Sequence, residues 1–486
     1  MVREVVLCAD LGTGSLRVGA VTAKGTLIAT ASALVRAAET EPGHRAIDPE
    51  SWWRALGRTV GRTLDQLSRR DRVRGLCLSG VTRTQVVLDR AGRPLSPALL
   101  FHDRRAVDDA AEIARYFQAA NPADEITAFH PLARIAWFAR RHPDALDRVG
   151  AVLEPKDLLN YRLTGELATD SVTSSRYDNL RAAGSALPDW LERCVRLLAL
   201  PRRAPWQMQG RVTSERSPWN RLAGIPVFAG AMDAWASAVG SGATGAGQGY
   251  DIAGTSEVAG LITPARADVP GLVSLVWGEK VWQIGGPTQA GADSVLWCHG
   301  TLRVRGTLAA AVERAGTMSP TEARPLFLPY LAGERTPLWR TDVRGAFEGL
   351  AREHHADDLL WAVLEGVAMS MRDILTRAVE GSGSGLSEVR VGGGGAQSNA
   401  WCQMKADVMN VPTLRTAHRE TGVIGAAIAA AVGLGWHESL AAAAGAMCPV
   451  ERAFEPRPAL ARIYAARAER YVRARQHAIA EADAAR

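Results

Sequence analysis

Short apolar segments separated by turns open the chain and predict three antiparallel strands. The segments cover residues 4–9, 16–22 and 26–32, and the small and polar residues between them are typical of tight turns. Residues 49–67 carry apolar side chains at helical spacing, whereas residues 73–79 form a short apolar run that predicts a buried strand. Helices and strands alternate from there on, which indicates an α/β protein.

Later segments repeat the succession of strand, loop and helix. A strand over residues 226–228 leads through a loop into a helix that begins near Asp233. A strand over residues 389–391 leads through a glycine-rich loop into a helix over residues 400–409. Residues 119–218 are richer in Pro and Arg, and there we predict accessory helices and loops.

One short sequence occurs twice, about half a chain apart. Residues 10–15 read Asp-Leu-Gly-Thr-Gly-Ser and residues 251–256 read Asp-Ile-Ala-Gly-Thr-Ser, and each copy lies between two predicted strands. The Gly-Thr pairs are 254 − 12 = 242 residues apart, which predicts a duplicated lobe; a chance match is the alternative. We therefore predict two α/β domains, residues 1–246 and 247–486, with a cleft between them.

The composition excludes several classes of protein. The longest apolar stretch, residues 425–436, is shorter than the roughly 20 residues that span a bilayer, and the apolar run at residues 5–9 is shorter than the about 7 to 15 residues of a secretory signal. We therefore expect a cytoplasmic protein without a membrane partner.

The 57 Lys and Arg residues exceed the 51 Asp and Glu residues by 6. The arginines are dispersed, so we expect a small anionic ligand and no nucleic acid.

Lysine is scarce, and this limits the ways in which the chain can bind phosphate. None of the four lysines precedes Ser or Thr, so the chain has no Walker P-loop. The six cysteines lie far apart without a Cys-x-x-Cys pair, which excludes a zinc ribbon. Any phosphate must therefore be held by other groups.

The two Gly-Thr turns are candidates for that role. Glycine permits the positive φ values and the close approach with which backbone N–H groups surround a phosphate. Asp10, at the end of the first strand, would lie beside the phosphates and hold Mg²⁺ through water. The alternatives are a tight hairpin turn for the glycines and an Asx-turn for Asp10. The two turns consist of Gly12, Thr13, Gly14 and Ser15 in the first copy and of Gly254, Thr255 and Ser256 in the second.

A single carboxylate stands where a predicted strand gives way to a helix. Asp233 lies in the first turn of that helix, where the helix dipole favours an ionised carboxylate. Such a group can accept the proton of a substrate hydroxyl as the hydroxyl attacks phosphorus. Small neighbours such as Gly230 and Ala234 leave room for a ligand. The alternative is an ordinary helix cap.

Four consecutive glycines precede the helix at residues 400–409. They project no side chains, so a flat purine ring could lie against the backbone while Gln397 and Asn399 offer hydrogen bonds. Ser398 or Asn399 would cap the helix. The dinucleotide fingerprint does not fit, because Gln397 stands where its third glycine is required.

Together these residues resemble the FGGY family of carbohydrate kinases, most closely its xylulokinase branch, over nearly the whole chain. Residues 10–17 are similar to the family's first phosphate motif, residues 251–256 to its second and residues 392–399 to its adenosine segment. Further similar segments are residues 101–105, where Phe replaces the Trp of a Trp-x-Asp-x-Arg element, residues 327–337 and residues 420–427.

The resemblance implies two copies of the ribonuclease H-like, actin-like ATPase fold. It implies a sugar site in the first domain, an ATP site in the second, Asp233 as the general base and Asp10 on the Mg²⁺ side. It also implies closure of the cleft over both substrates, and a homodimer is common in the resembled branch. The residues expected to contact ATP are Gly12, Thr13, Gly14, Ser15, Arg17, Gly254, Thr255, Ser256, Gly394, Gly395, Gln397, Ser398 and Asn399.

The positions that select the sugar depart from the family pattern. Xylulokinases usually carry Met-His and glycerol kinases Arg-Glu after a Ser-Gly pair, whereas this chain has Thr82 and Arg83. Arg83 could hydrogen-bond several hydroxyls or favour the carboxylate of a sugar acid. Asp103 and Asp233 complete the predicted substrate contacts.

The predicted reaction is the ATP-dependent conversion of D-xylulose to xylulose 5-phosphate. Another pentose, polyol or sugar acid, such as ribulose, glycerol or gluconate, is the alternative substrate. An ATPase of the actin or chaperone type without a sugar substrate is the alternative activity.

Overall fold

The computed structural model describes residues 2–41, 43–119, 121–182, 186–213 and 216–485. The chain divides into two units. The first contains the chain up to Gly240 together with Gly422–Met447, and the second contains Ser241–Thr421 together with the chain from Cys448 onwards. The predicted division between residues 246 and 247 therefore differs from these units, because residues 422–447 belong to the first. The binding roles assigned to the two domains stay predictions.

The strands of the two units are numbered along the chain. They are β1 (Arg3–Leu11), β2 (Ser15–Thr22), β3 (Leu27–Leu34), β4 (Ala38–Glu41), β5 (His44–Ile47), β6 (Asp71–Gly80), β7 (Val86–Asp89), β8 (Ala98–Leu99), β9 (Phe117–Gln118), β10 (Val149–Leu153), β11 (Thr169–Asp170), β12 (Arg181–Ala182), β13 (Arg202–Arg203), β14 (Met208–Arg211), β15 (Pro226–Phe228), β16 (Gln248–Ala253), β17 (Glu257–Thr263), β18 (Val273–Gly278), β19 (Val281–Pro287), β20 (Leu326–Leu328), β21 (Ala346–Glu348), β22 (Glu388–Gly392), β23 (Thr413–Thr416) and β24 (Val450–Phe454).

The helices are numbered in the same way. They are α1 (Pro49–Asp65), α2 (Val107–Ala114), α3 (Pro131–Arg141), α4 (Pro143–Leu146), α5 (Pro155–Thr164), α6 (Ser171–Ser174), α7 (Asp189–Arg196), α8 (Asp233–Gly240), α9 (Ala292–Thr301), α10 (Leu308–Gly316), α11 (Ala356–Ser382), α12 (Asn399–Met409), α13 (Thr421–Gly433), α14 (Leu440–Met447) and α15 (Ala461–Ala484).

The first unit is built on a six-stranded mixed sheet with the order β14-β15-β6-β1-β2-β3. β1, β2 and β3 are antiparallel neighbours, as the sequence predicts. β1 runs parallel to β6 and β6 parallel to β15, whereas β14 pairs antiparallel with β15. Consecutive residues of β1 are buried because both faces of the strand are covered, which explains its near-continuous apolar sequence.

The sheet of the second unit repeats this arrangement, in the order β18-β19-β17-β16-β22-β23-β24. β16 has an antiparallel neighbour in β17 and a parallel neighbour in β22, as β1 has in β2 and β6. β19 and β23 extend the two sides as β3 and β15 do, and β24 pairs antiparallel with β23. β18 is an additional edge strand. The predicted duplicated α/β fold is confirmed.

Local signals in the sequence determine where α1 begins and which face it buries. Asp48 precedes the helix and its side chain accepts a hydrogen bond from the backbone N–H of Glu50 at 3.0 Å. Pro49 occupies the first helical position, where no hydrogen bond is lost. Trp52, Leu56 and other residues at helical spacing are buried against β2 and β3.

Helix α13 belongs to the first unit because it lies directly against α8. A Cβ atom added to Gly425 would lie 1.8 Å from the backbone oxygen of Ala236 in α8. The two helices therefore approach each other at a position where only glycine leaves enough space.

Helices α2, α3, α4 and α7 form a small group with an apolar cluster of its own, which includes Ile113, Ile135, Phe138 and Leu191. Of these, α3, α4 and α7 lie within residues 119–218, where the sequence predicts accessory helices, and α2 precedes that range. Within the described ranges, no helix has the length and apolar character that crossing a bilayer requires.

Candidate active site

The carboxyl ends of β1, β6 and β15 bring three predicted site residues to one edge of the first sheet. Asp10 pairs with Ser79 across the parallel strands β1 and β6. At the end of β6, the backbone N–H of Gly80 donates to the oxygen of Ala231, two residues before Asp233. The strand ends therefore place Asp10, the loop with Thr82, and Asp233 along one side of this unit, where α/β proteins commonly bind ligands.

Asp10 is only partly exposed and has two neighbours on this side. Its Oδ1 accepts a hydrogen bond from Ser79 Oγ at 3.0 Å. Its Oδ2 lies against the first turn of α13, because a Cβ atom added to Gly422 would be 2.3 Å away. The Asp10 carboxylate therefore lies beside the N-terminal turn of α13.

The first Gly-Thr turn connects β1 to β2. The backbone N–H of Gly12 donates to the oxygen of Ser15 at 2.9 Å and closes the turn. A Cβ atom added to Gly14 would meet no atom within 4 Å. Arg17 is exposed and lies opposite Asp10 in the β1–β2 ladder, which places both side chains on one face.

The positive φ values expected for the glycines of these turns are wrong: neither Gly12 and Gly14 nor Gly254 in the second turn has a positive φ. Their contribution is the small size of glycine, which leaves the backbone of the turn accessible.

Asp233 is the first residue of α8, as predicted. Its Oδ1 accepts a hydrogen bond from the backbone N–H of Ala234 at 2.8 Å. Burial raises the pKa of its carboxyl above the ordinary value, whereas the Ala234 N–H and the positive charge of Arg176 lower it. The residue is nevertheless partly exposed to solvent.

Two residues that the sequence analysis missed, Glu154 and Arg176, organise the loop with Thr82. Arg176 Nη2 donates to Thr82 Oγ1 at 2.6 Å, and Thr82 Oγ1 donates to Glu154 Oε1 at 3.3 Å. The Glu154 carboxylate also accepts the backbone N–H groups of Arg83 and Thr84 at 3.2 and 3.1 Å. No motif surrounds either residue; Glu154 is marked only by the proline that starts α5, and Arg176 lies in the stretch predicted as accessory.

Arg83 adopts a left-handed backbone conformation with φ 56°, which is uncommon outside glycine. Arg134 supports it by donating to the backbone oxygen of Arg83. Burial, together with the charges of Arg83, Arg134 and Arg176, lowers the pKa of His130 to about 3. Three arginines therefore lie around His130, while the Glu154 carboxylate contacts the backbone of Arg83.

Asp103, which we predicted to contact the substrate, is fully buried. Its side chain is 0% exposed. Its carboxylate accepts the backbone N–H of Arg45 at 2.7 Å and both the backbone N–H and Nε of Arg105 at 3.0 and 2.9 Å. These contacts favour a role in positioning Arg105 over a direct contact with substrate, because a sugar hydroxyl would have to displace them.

The second Gly-Thr turn connects β16 to β17 in the other unit and lies against the start of α9. The backbone N–H groups of Ala292 and Asp293 donate to the oxygens of Gly254 and Thr255 at 3.1 and 3.0 Å. Arg335 Nη2 donates to Ser256 Oγ at 3.2 Å. The turn is therefore held in place from two sides.

A buried lysine joins the two ends of this turn. Lys405 on α12 donates to Asp251, just before the turn, and to Glu257 Oε1, just after it, the latter at 2.7 Å. Burial alone would lower the pKa of Lys405, but the negative charges of its two partners raise it above the ordinary value. Asp251 is 0% exposed. It is thus a buried ion-pair partner, unlike the partly exposed Asp10 that matches it in the repeat.

The predicted adenosine segment joins β22 to α12. Gly393 has φ 82° and lies close to the backbone of Ala253, where a Cβ atom would be 2.5 Å from an oxygen. A Cβ atom at Gly394 would meet no atom within 4 Å. Ser398 Oγ accepts the backbone N–H of Trp401 at 3.1 Å, as expected for the cap. The predicted contacts Gly394, Gln397 and Asn399 are exposed, and Gly395 is partly so.

Comparison with known proteins assigns the chain to a family. Residues 5–240 match the N-terminal domain, and residues 249–434 the C-terminal domain, of the FGGY family of carbohydrate kinases. A xylulose kinase of Lactococcus lactis is 30% identical over 474 residues, which cover 93% of each chain. A glycerol kinase of Citrifermentans bemidjiense is 27% identical over 483 residues, 93% of this chain and 94% of that protein.

A solved structure with the same fold is a "xyloylose kinase" from Brucella ovis. It is 26% identical, has a TM-score of 0.85, and the alignment covers 98% of this chain and 100% of that one. Together with the two sheets and the predicted motifs, these matches show that the chain belongs to the FGGY family of carbohydrate kinases and is an ATP-dependent sugar kinase.

Proposed function

We propose that the chain phosphorylates a ketopentose, with D-xylulose as the first candidate and xylulose 5-phosphate as the product. The observation that carries this proposal is the position of Asp233, a partly exposed carboxylate at the start of α8 beside the loop that contains Thr82 and Arg83. The similarity to xylulose kinases along nearly the whole chain supports the choice of substrate.

In the proposed mechanism, Asp233 accepts the proton of the sugar hydroxyl. The hydroxyl oxygen forms a bond to the γ-phosphorus, the bond between this phosphorus and the bridging oxygen of ADP breaks, and ADP leaves with that electron pair. Asp233 Oδ1 is engaged by Ala234, so the backbone orients the carboxylate. Arg176 supports the ionised form of Asp233, which is the form that accepts a proton.

The loop with Thr82 would orient the sugar. Glu154 holds the backbone of this loop through two N–H groups, so the loop does not depend on the ligand for its shape. Such preorganisation keeps the reacting hydroxyl close to Asp233. Arg83 is the side chain whose nature distinguishes this chain from both xylulokinases and glycerol kinases, and we propose that it contacts the sugar.

Asp10 suits the Mg²⁺ that the family implies. Mg²⁺ keeps several waters and is bound through one or two carboxylates together with substrate phosphates. Asp10 offers one partly exposed carboxylate next to the first Gly-Thr turn. Among the residues that the structure describes, no cluster of three or more His, Cys, Asp or Glu could hold a metal. When bound, the ion would neutralise charge on the phosphates.

We propose that the second unit binds ATP, with the phosphates at Gly254, Thr255 and Ser256 and the adenosine at the exposed backbone around Gly394. The homodimer expected from the family also stays a proposal. A sugar acid or polyol is the second candidate substrate. The contacts of Arg176 with Thr82 and of Arg134 with Arg83 bring three arginines to this loop, and this observation favours a sugar acid.

The proposal is tested by ADP release from the full chain with a panel of pentuloses, pentitols, aldonates and glycerol. We expect D-xylulose to give the highest kcat/KM. A higher value for an aldonate would assign the sugar-acid alternative, and ADP release at one rate with or without any sugar would refute the kinase proposal.

The role of Asp233 is tested by Asp233→Asn, with Asp144→Asn as the matched control. Asp144 is an exposed aspartate in the first turn of another short helix of the same unit. We expect Asp233→Asn to lower kcat by about 10²- to 10⁴-fold, because a positioned base is lost, and to leave ATP affinity unchanged. Near-normal turnover in this variant would exclude Asp233 as the base.

A further inference from the structure

Arg335 contacts the second Gly-Thr turn from a loop that the proposed function does not use. Its Nη2 donates to Ser256 Oγ at 3.2 Å and also to the backbone oxygen of Thr288. The guanidinium is thus attached to the turn by one nitrogen, and Arg335 as a residue is partly exposed. An arginine in contact with a predicted phosphate turn is a candidate ligand for phosphate, because its planar fork matches two phosphate oxygens.

Glu334 fixes the backbone that carries Arg335. Its Oε1 accepts the backbone N–H groups of Gln289 and Arg335 at 2.6 and 2.7 Å. The loop is closed by two hydrogen bonds between the backbones of Glu334 and Arg340, at 2.7 and 2.8 Å. Glu334 itself is only 3% exposed, and burial raises the pKa of its carboxyl to about 8. The start of the arginine side chain is therefore held rigidly.

Two polar atoms of this pair lack a hydrogen-bond partner within the described chain. They are Arg335 Nε and Glu334 Oε2, and both are buried. Buried donors and acceptors are nearly always paired in folded proteins, so an unpaired set commonly marks a functional site. Arg335 Nε lies on the same planar group as the nitrogen that contacts Ser256, and it can donate to an anion there.

The other cation near the turn is not available for a ligand. Lys405 is 2% exposed and is engaged by Asp251 and by Glu257. The chain also lacks the lysine of a Walker P-loop. A nucleotide polyphosphate at Ser256 would need a positive charge from another source, and Arg335 is in contact with that residue.

We propose that Arg335 binds the β-phosphate of the nucleotide at the second Gly-Thr turn and that Glu334 is its positioning residue. This proposal rests on the proposed binding of ATP to the second unit. It extends the nucleotide site by Glu334 and Arg335, which lie in the segment at residues 327–337 that is similar to the family but has no role in the proposed function.

The test measures nucleotide affinity by calorimetry on the full chain. Arg335→Gln removes the positive charge of the side chain. Arg335→Lys keeps the charge but lacks the planar guanidinium that can donate two parallel hydrogen bonds. Arg344→Gln is the matched control. Arg344 is an exposed arginine nearby whose guanidinium donates to the backbone oxygens of Thr341 and Val343.

We expect Arg335→Gln to weaken ADP binding about 10- to 100-fold, as expected for loss of a charge-assisted hydrogen bond. AMP lacks the β-phosphate, so its affinity, measured by competition, changes less than about twofold. Arg335→Lys recovers part of the ADP affinity, Arg344→Gln leaves both affinities unchanged, and the KM for sugar stays near that of the wild type in every variant.

Glu334 is tested in the same assay. Glu334→Ala is expected to weaken ADP binding, whereas Glu334→Gln retains an oxygen that accepts both N–H groups and keeps the affinity. In the Arg335→Gln background, Glu334→Ala adds little, because a positioning residue has no effect once the residue it positions is gone.

Two results would overturn the proposal. One is wild-type ADP affinity in Arg335→Gln, and the other is an equal loss of ADP and AMP affinity in both Arg335 variants, which indicates a merely structural bridge between Ser256 and Thr288. Nucleotide binding is measured without sugar. A wild-type protein that binds ADP but phosphorylates no sugar therefore refutes the proposed function and leaves this test valid.

Discussion

Alanine in place of Gly425 adds a methyl group where α13 meets α8, the two helices that flank the proposed site of the first unit. The added Cβ would lie 1.8 Å from the backbone oxygen of Ala236, whereas ordinary contact begins at 3.4 Å. The helices must therefore separate by about 1.6 Å (3.4 − 1.8), since backbone atoms rather than a flexible side chain are in the way. Overpacking of this kind costs roughly 1–3 kcal/mol.

The same shift affects activity, because α8 begins with Asp233 and the first turn of α13 lies against Asp10. A misplacement of about 1 Å at reacting groups lowers rates by roughly 10²-fold. We therefore expect kcat for the sugar to fall by about one to two orders of magnitude. ADP affinity should change much less than kcat, since the residues proposed to bind the adenosine and the second Gly-Thr turn belong to the other unit.

The assay combines thermal unfolding followed by circular dichroism with ADP release. A loss of about 1–3 kcal/mol corresponds to a midpoint lower by roughly 2–12 °C for a unit of this size. Gly445→Ala is the matched control, because this glycine lies within α14 and a Cβ atom there would meet nothing within 4 Å. It should stabilise the chain by about 0.5–1 kcal/mol. Wild-type stability and turnover in Gly425→Ala would refute the close approach of the two helices.

Two further predictions concern charges near the sites. Arg176→Met removes a positive charge that lowers the pKa of Asp233. We therefore expect Asp233 to become protonated at a higher pH, so that the acid limb of the plot of kcat/KM against pH moves to higher pH. An acid limb at the wild-type pH would contradict this electrostatic link. Lys405→Met leaves Asp251 and Glu257 buried without their cation, and we expect a loss of about 3–5 kcal/mol of stability, seen as a lower unfolding midpoint. The exposed Lys280→Met serves as the control, and equal midpoints for both lysine variants would refute the buried pair.

Several features of the proposed site could be predicted because they depend on neighbours in sequence. The antiparallel meander follows from short apolar segments and turns, and Ser398 caps α12 through a residue three positions away. Asp233 starts a helix because a buried strand and a loop of small residues precede it. The repeated Asp-to-Ser segment also identified the two strand pairs that lie at equivalent places in the two sheets.

Other features could not be predicted, because they depend on residues far apart in sequence. Asp10 and Asp251 occupy the same place in the repeat. Asp251 is buried and forms an ion pair with Lys405, which is 154 positions away, whereas Asp10 is partly exposed. Asp103 matches a family motif, but the backbone of Arg45 takes one of its oxygens. Glu154 holds the loop at Thr82 across 72 positions, without a motif to indicate it.

The sequence by itself determined the α/β class, the duplication, the two turns without a Walker lysine and the carboxylate at the start of α8. The periodicity of apolar residues, the turn residues and the helix caps each involve only a few neighbouring positions, so a single sequence is enough to recognise them. Only the tertiary structure decided which carboxylates are exposed to a ligand and which are buried in hydrogen bonds or ion pairs with other residues of the chain. It also decided that residues 422–447 join the first unit. Burial and ion pairing depend on which distant segments meet, and that information is absent from local sequence patterns.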